Sequence, residues 1–446
     1  MAKESASAKF SIVHPQAAGI DVGSRFHWVS VGQEAGESKQ FGVFTKDLHA
    51  LCQWLVSLGI RTVAMESTGF YWKQLFVMLQ SYGMEVYLVN ASFTKNIQGR
   101  KPSDLSDSQW IWKMHSVGLL PASFQPDSFT EELRTYVRHR NRLIEGAAQC
   151  VNRMQKCLTL MNLQLPIVVS DISGKSGKAI IEAILNGERD GSKLAQLADY
   201  RLKADKATLS EALTGFWRAD HLFELDQHWK MYHHYQEHLA QCDQKIEEVL
   251  QSRVQVTGQA ELAYDQKKSR GKNDPSFQLA TYAYQLSDGV DLLQVDGVGL
   301  NLILTLLSEV GLDLTQFPSA KHFTSWLCLC PNKKVSGGKV LSSSTRKNKS
   351  RLRKAFKQTA IGVCRKKDCV LAHFYRKMAA KHGKGTAITA TARKIAVIVY
   401  HMLQKKEAYQ PQQLEDYQQK VRTQKIKQIQ RTIRNLEVHE HELVFA

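Results

Sequence analysis

The chain has 446 residues, an apolar share of 43% and 18 more Lys and Arg than Asp and Glu, which sets its pI near 9.4. That length exceeds one ordinary core and predicts roughly two to four domains, while the ordinary apolar share predicts that most of the chain packs. The charge favours a polyanionic partner, nucleic acid before an anionic membrane surface, and no apolar run approaches the ~20 residues that span a bilayer, so no membrane partner is expected.

The opening stretch MAKESASAKF lacks the apolar core of a signal peptide, which predicts a cytosolic protein. Eight cysteines occur without a C-x-x-C pair, and Cys328 and Cys330 stand too close for zinc-ribbon spacing. Reduced, mostly buried thiols are the expectation.

Along the first ~110 residues, strand and helix signals alternate. AAGIDVGSRFHWVSVGQE predicts a strand, a turn and a second strand, and SKQFGVFTK a third. DLHALCQWLVSLG reads as a helix, IRTVAMEST as a short buried strand, FYWKQLFVMLQSYG as a helix, MEVYLVN as a strand and DLSDSQWIWKMHSVG as a further helix. This order predicts a mixed sheet covered by helices, an α/β layer fold.

Residues ~128–165 and ~195–255 carry long helical patterns, predicting a coiled or bundled arm. Within it, His233 and His234 are adjacent, face different directions and make a poor metal pair. GKSGK at 174–178 fails the phosphate-loop spacing. GKNDPSFQ at 271–278 reads as a hinge into a second globular part, where LLQVDGVGLNLILTLLSEVG predicts helix, tight DGVG turn and helix. Two glycines flanking Val298 permit that turn and leave amides for a phosphate, although a plain helical hairpin has the same spacing. In the polar helical tail from about Gln410, Ile426, Ile429, Ile433 and Leu436 form a short amphipathic or coiled-coil stripe suited to packing.

Four carboxylates stand out by position. Asp21 sits in the apolar strand GIDVG and Glu66 ends the apolar strand VAMEST, where a charge is costly unless paired or metal-bound. Asp104 and Asp107 are i,i+3, on one face of a helix starting there. Individually, Asp104 could cap its helix and Asp21 could serve a turn before Gly23. Adjacent strands and that helix can instead bring all four together, and clustered carboxylates predict Mg2+ or Mn2+, a phosphodiester-cleaving arrangement.

Between Asp313 and Asp368 there is no acidic residue but 14 Lys or Arg. Lys333, Lys334, Lys339, Arg346, Lys347, Lys349, Arg351, Arg353 and Lys354 crowd this block and predict a seat for a nucleic-acid backbone. Their spacing suggests a loop running into a helix whose start faces phosphate. Inside it, Ser336 precedes Gly337 and Gly338, which permit close approach, and neighbouring cations suit a developing alkoxide. Ser342, Ser343, Ser344 and Ser350 are local competitors, and local chemistry does not choose among them.

Taken together, GIDVGSRFHWVSV, AMESTGFYWKQL, NIQGRKPSDLSDSQWIWKMHSVGLLPASFQP, DISGKSGKAIIEAILNGERD, LLQVDGVGLNLILTLLSEVG, KKVSGGKVLSSSTRKNKSRLRKAF and GTAITATARKIAVIVYHML resemble one family over almost the whole chain. It is the insertion-sequence family 110 transposases, the bridge-RNA-guided recombinases, especially their 1111 subgroup. The resemblance implies an α/β plus α protein. Its parts are a RuvC-like (RNase H-like) mixed-sheet domain at 1–127, a helical or coiled-coil arm at 128–270 for oligomerisation and RNA contact, a mainly helical C-terminal transposase domain at 271–409, and a helical tail at 410–446.

It further implies an acidic D-E-D-D set at Asp21, Glu66, Asp104 and Asp107 binding Mg2+ or Mn2+, and a nucleophile at Ser336 in the S-G-G-K motif. Ser336 attacks a DNA phosphodiester to form a phosphoserine link, with the acidic set beside it, from the same or another protomer. Implied partners are donor and target DNA, a structured bridge RNA and a second copy of the chain, as dimer or tetramer, in the cytoplasm of a bacterium at the nucleoid. Where many relatives read K-T-D, this chain reads Lys101-Pro102-Ser103-Asp104, and Pro102 and Ser103 suit a helix start. Two other readings fit the residues: a metal-dependent nuclease or junction resolvase in which water attacks, and a nucleic-acid-binding protein without catalysis.

Overall fold

The central strand β1 (Ala17–Val22) alternates faces, and its two neighbours set the topology of the first, sheet-bearing part of the chain. In the computed structural model, residues 11–32, 34–67, 69–90, 103–257, 271–346, 350–411 and 413–435 are described. Two compact units divide the chain, Met1–Gln125 and Pro126–Ala446.

In the first unit β1 pairs antiparallel with β2 (Phe26–Ser30), which pairs antiparallel with β3 (Ser38–Gly42). After α1 (Thr45–Ser57), strand β4 (Thr62–Glu66) returns parallel to β1, and after α2 (Trp72–Ser81), β5 (Glu85–Val89) lies parallel to β4. Helix α3 (Asp104–Ser116) ends the series, and the sheet order is β3-β2-β1-β4-β5. The elements occur in the order that the hydrophobic periodicities predict, as the mixed sheet with helices of a RuvC-like layer.

Period-two alternation builds both faces. Ala18, Ile20 and Val22 of β1 and Val63 and Met65 of β4 join Leu51, Leu55, Leu75 and Leu79 in the core under α1 and α2. The opposite face carries Gly19 and Ala64, and Ala64 packs with Ile111 of α3. Gly19 is where α3 approaches closest: a Cβ there would stand 2.5 Å from the Ser108 carbonyl oxygen and closer still to the Trp112 amide.

The second unit opens with α4 (Ser128–Leu160), paired antiparallel with α9 (Ala219–Thr257). Cys242 donates to the Tyr136 carbonyl at 3.4 Å, and Arg253 lies 5.2 Å over the Phe129 ring. Between them α5 (Leu165–Val168), α6 (Lys175–Leu185), α7 (Gly191–Gln196) and α8 (Lys206–Ala212) close around Met154, Cys157, Ile180, Ile184 and Leu213. The helical pattern predicted over ~195–255 is therefore broken. Asp205 caps α8 through the Thr208 amide, and at Gly215 the chain presses against the Met161 carbonyl before α9 begins.

The segment expected to be a hinge is clamped instead. Asn273 accepts from Arg140 at 3.1 Å, the Ser276 amide donates to Asp243 at 2.9 Å, and Phe277 is buried. Beyond it come α10 (Leu279–Leu286), α11 (Leu300–Glu309), α12 (Ala320–Trp326), a hairpin of β6 (Lys334–Ser336) and β7 (Lys339–Ser342), then α13 (Arg351–Cys364), α14 (Val370–His382), α15 (Lys384–Lys405) and α16 (Leu414–Asn435). The expected helix before DGVG is a single 3-10 turn over Leu292–Gln294, because Asp291 caps Leu293 and Gly297 turns the chain at φ +82° within three residues. On α16, Ile426 and Ile429 stand exposed and Ile433 is half-buried, so within this chain the stripe covers no core, and Leu436 lies outside the described residues. Among the described residues no helix is long and apolar enough to cross a membrane.

Candidate active site and nucleic-acid interface

In the sheet, β1 and β4 are the strands between which the chain order reverses, the place where open α/β sheets bind ligands beyond the carboxyl ends of their strands. Ile20 pairs with Met65, so the next rung sets Asp21 level with Glu66, both on the α3 face. Glu66 is buried and Asp21 half-buried.

Helix α3 crosses that face in the reverse direction. Its last turn reaches the start of β4, where His115 Nε2 and Thr62 Oγ1 lie 2.9 Å apart. Its middle is pinned by Ser108 to Ser30 on β2 at 2.7 Å. Its first turn, with exposed Asp104 and half-buried Asp107, therefore points to the end of the sheet that holds Asp21 and Glu66. Ser103, not Asp104, caps this helix by accepting from the Ser106 amide at 3.2 Å, so the cap does not fall to Asp104.

The donor set consists of four carboxylates, the hard oxygen ligands that suit Mg2+ or Mn2+. Its residue types fit such an ion, and the topology gathers all four at one end of one face. Among the described residues, however, no three His, Cys, Asp or Glu side chains come together as a metal-holding group.

Ser336 lies on a different kind of support. Ser336 and Lys339 pair across the β6–β7 turn, whose two central residues, Gly337 and Gly338, have φ of +54° and +75°. Positive φ at both positions is the two-residue hairpin turn that glycine permits. The segment read from sequence as a loop is thus a hairpin, extended by a bridge between Pro331 and Thr345. Residues 333–341 are all exposed, including Val335 and Val340 at 58% and Leu341 at 70%. A Gly-Gly pair flanked by V-S and K-V carries that hairpin signal, and it was legible.

Three of the four competing serines have local partners, and the fourth, Ser343, stands away from the turn. Ser342 Oγ and Ser344 Oγ are 3.2 Å apart, Ser343 and Ser344 line a cleft under the hairpin, and Ser350 caps α13 by accepting from the Arg353 amide at 3.4 Å. Of the predicted basic residues, Lys333, Lys334, Lys339, Arg346, Arg351 and Lys354 are exposed, as backbone-binding cations must be. Arg353 is half-buried and donates to Thr345 Oγ1 at 3.2 Å, so it braces the hairpin base. Lys347 and Lys349 lie outside the described residues.

Three further cations escaped the sequence reading. Lys357 lies one turn beyond Arg353 and Lys354, a spacing that helix periodicity exposes. Arg393 and Lys394 stand some forty residues later in chain order, and no spacing rule links them to the hairpin. Burial holds the Lys394 ammonium below its usual pKa, and it lies over the rings of Phe374 and Tyr417 at 4.8 and 5.4 Å.

Residues 18–163, from β1 through α4, match a family model of IS110-type DEDD transposases described as "Transposase". Residues 291–376, from the 3-10 turn before α11 into α14, match the model described as "Transposase IS116/IS110/IS902 family". A search of curated proteins finds no match. The two models name the same group and together span just over half of the chain, the first carrying the acidic face and the second the serine hairpin, so the chain belongs to the IS110 family of DNA transposases.

Proposed function

We propose that this transposase cuts and rejoins donor and target DNA through Ser336, with a divalent metal at Asp21, Glu66, Asp104 and Asp107 and a structured RNA choosing the sites. One observation carries the choice of nucleophile: Ser336 alone among the candidate serines stands at the exposed tip of the basic hairpin, next to its turn. Ser342, Ser344 and Ser350 have their hydroxyls in local hydrogen bonds.

Ser336 Oγ attacks phosphorus, the new O–P bond replacing the bond from phosphorus to the sugar oxygen. The sugar oxygen leaves with a proton as a hydroxyl, the serine proton having passed to solvent. Because no water enters the products, a sugar hydroxyl from the other DNA reverses the step, and the phosphodiester is conserved. Lys339, across the turn, and the exposed cations beside it hold the phosphate charge. A bound Mg2+ or Mn2+ supplies positive charge for phosphate oxygens. Support for the guide RNA is the family likeness and the +18 charge, which a polyanion matches. Action as a dimer or tetramer is supported by the long helices α4 and α9 of the middle segment, which suit association of copies.

The test is covalent trapping with purified protein, the RNA encoded beside its gene and paired DNA sites. Ser336→Ala is expected to yield no adduct. Adducts and normal recombination in that variant sink the serine role. Cleavage that leaves no adduct yet vanishes in Asp21→Ala assigns the attack to water, as in a metal-dependent nuclease. Unchanged activity in both variants assigns binding alone.

A further inference from the structure

We propose that the cleft under the serine hairpin receives one unpaired nucleotide of a nucleic-acid strand, entered from a basic groove along α13. This rests on the reading of the hairpin as the place where a strand is cut.

The cleft has a volume of about 920 Å3, in the range that takes a small organic ligand. Its walls are apolar at Leu329, Phe374, Met378 and Val397, and its rim is the return limb of the hairpin, Ser343 to Thr345. No acidic residue lines it among the described residues. Apolar walls with an aromatic ring suit the faces of a base, which any unstacked nucleotide offers.

Three cationic features converge on it. Arg393 lines the cleft, and its buried Nε makes no hydrogen bond among the described residues, so turning this side chain toward a bound base edge or phosphate breaks no hydrogen bond at Nε. Lys394 lies beside it on the cleft wall, facing aromatic rings. The first turn of α15 enters the lining through Gly385 and Thr386, so the positive end of a 22-residue helix meets the cleft. A Cβ at Gly385 would meet nothing within 4 Å, which leaves that helix start bare.

A second groove, of about 440 Å3, is lined by Arg353, Lys354 and Lys357 and also by Gly385. The two depressions therefore meet at the start of α15. Phosphates lie along the basic groove, the chain turns at Gly385, and one base leaves the stack into the cleft. A duplex keeps its bases stacked and occupies the groove alone.

The experiment uses the full chain carrying Ser336→Ala, so that binding is read without any covalent step. Short single-stranded DNA and RNA oligonucleotides carry 2-aminopurine at one position at a time, and a duplex serves as reference. One position is expected to change its emission on binding. Thr389→Trp, which fills the cleft, and Arg393→Met, which removes the buried donor, are each expected to weaken single-strand binding about tenfold while leaving duplex binding within about twofold. A response confined to DNA or to RNA supports the site and names its source. Equal losses for single strand and duplex, or an emission change that survives Thr389→Trp, overturn it. Ser336-dependent trapping with no cleft response sinks this inference alone; a cleft response without trapping sinks the serine reading alone.

Discussion

Arg140 on α4 and Asp243 on α9 form a buried ion pair, their side chains 3% and 4% exposed, and the same two groups hold the 273–276 segment. Removing one partner of such a pair leaves the other charge buried and costs about 3–5 kcal/mol. Asp243→Ala is therefore expected to lower the melting temperature sharply and to open residues 271–278 to protease. Replacing both with Met and Leu should restore much of the stability, because no orphan charge remains. Equal melting temperatures for Asp243→Ala and the wild type contradict this account.

The hairpin turn gives a prediction that separates geometry from stability. At φ of +54° and +75°, Gly337 and Gly338 sit where an L side chain costs about 1–2 kcal/mol, and a β-branched one more. Gly338→Val should reduce adduct formation at Ser336 about tenfold or more, with the melting temperature nearly unchanged, since residues 333–341 around the turn are all exposed. Gly337→Asn should retain activity, because Asn tolerates left-handed backbone.

Gly19 tests the acidic face without touching a carboxylate. Gly19→Ala drives a methyl into the Ser108 carbonyl and the Trp112 amide, an overpacking that costs about 1–3 kcal/mol and lifts α3 from the sheet. Metal-dependent cleavage should fall more than DNA binding does. Filter binding and cleavage assayed side by side read that difference.

Acid should loosen the first unit through His115. Burial, then the neighbouring His14, pushes its pKa down from 6.5 to about 4, and it lies 4.7 Å from the His14 ring and against Thr62. Because the folded value lies below the unfolded one, its share of stability is complete above about pH 6.5 and is lost as pH falls through about 4. His27, also lowered by burial, acts in the same direction. Melting temperature against pH should fall over that window, and more gently in His115→Gln.

Salt should weaken DNA binding steeply. Each cation that contacts phosphate adds about 0.9 to the slope of log affinity against log salt. Lys339→Gln, Arg346→Gln and Lys354→Gln should each lower that slope by about this much. Arg353→Gln should instead disturb the hairpin base, as its bond to Thr345 requires.

How much of this was legible in the sequence follows from how far each signal reaches. Strand and helix periodicities are local, so β1 to β5 and α1 to α3 were readable, and with them the placement of Asp21 and Glu66 on strands and of Asp104 and Asp107 in the first turn of a helix; whether the four side chains close on one ion is not a local property. Gly337 and Gly338 were read as room for approach, whereas their left-handed backbone makes the turn itself. GKNDPSFQ has the composition of a hinge, but Arg140 and Asp243, more than a hundred residues apart, tie it down. Arg393 and Lys394 meet the hairpin only through tertiary packing, which no spacing rule reports.

Among the described residues, Ser336 stands on a protrusion whose residues 333–341 are all exposed, with no wall of its own around it. A nucleophile in a pocket carries its surroundings with it; one on an exposed turn acquires them at each encounter. Under the proposed serine chemistry, reactivity would belong to the assembled complex, and the free chain would be spared from cutting whatever strand it touches.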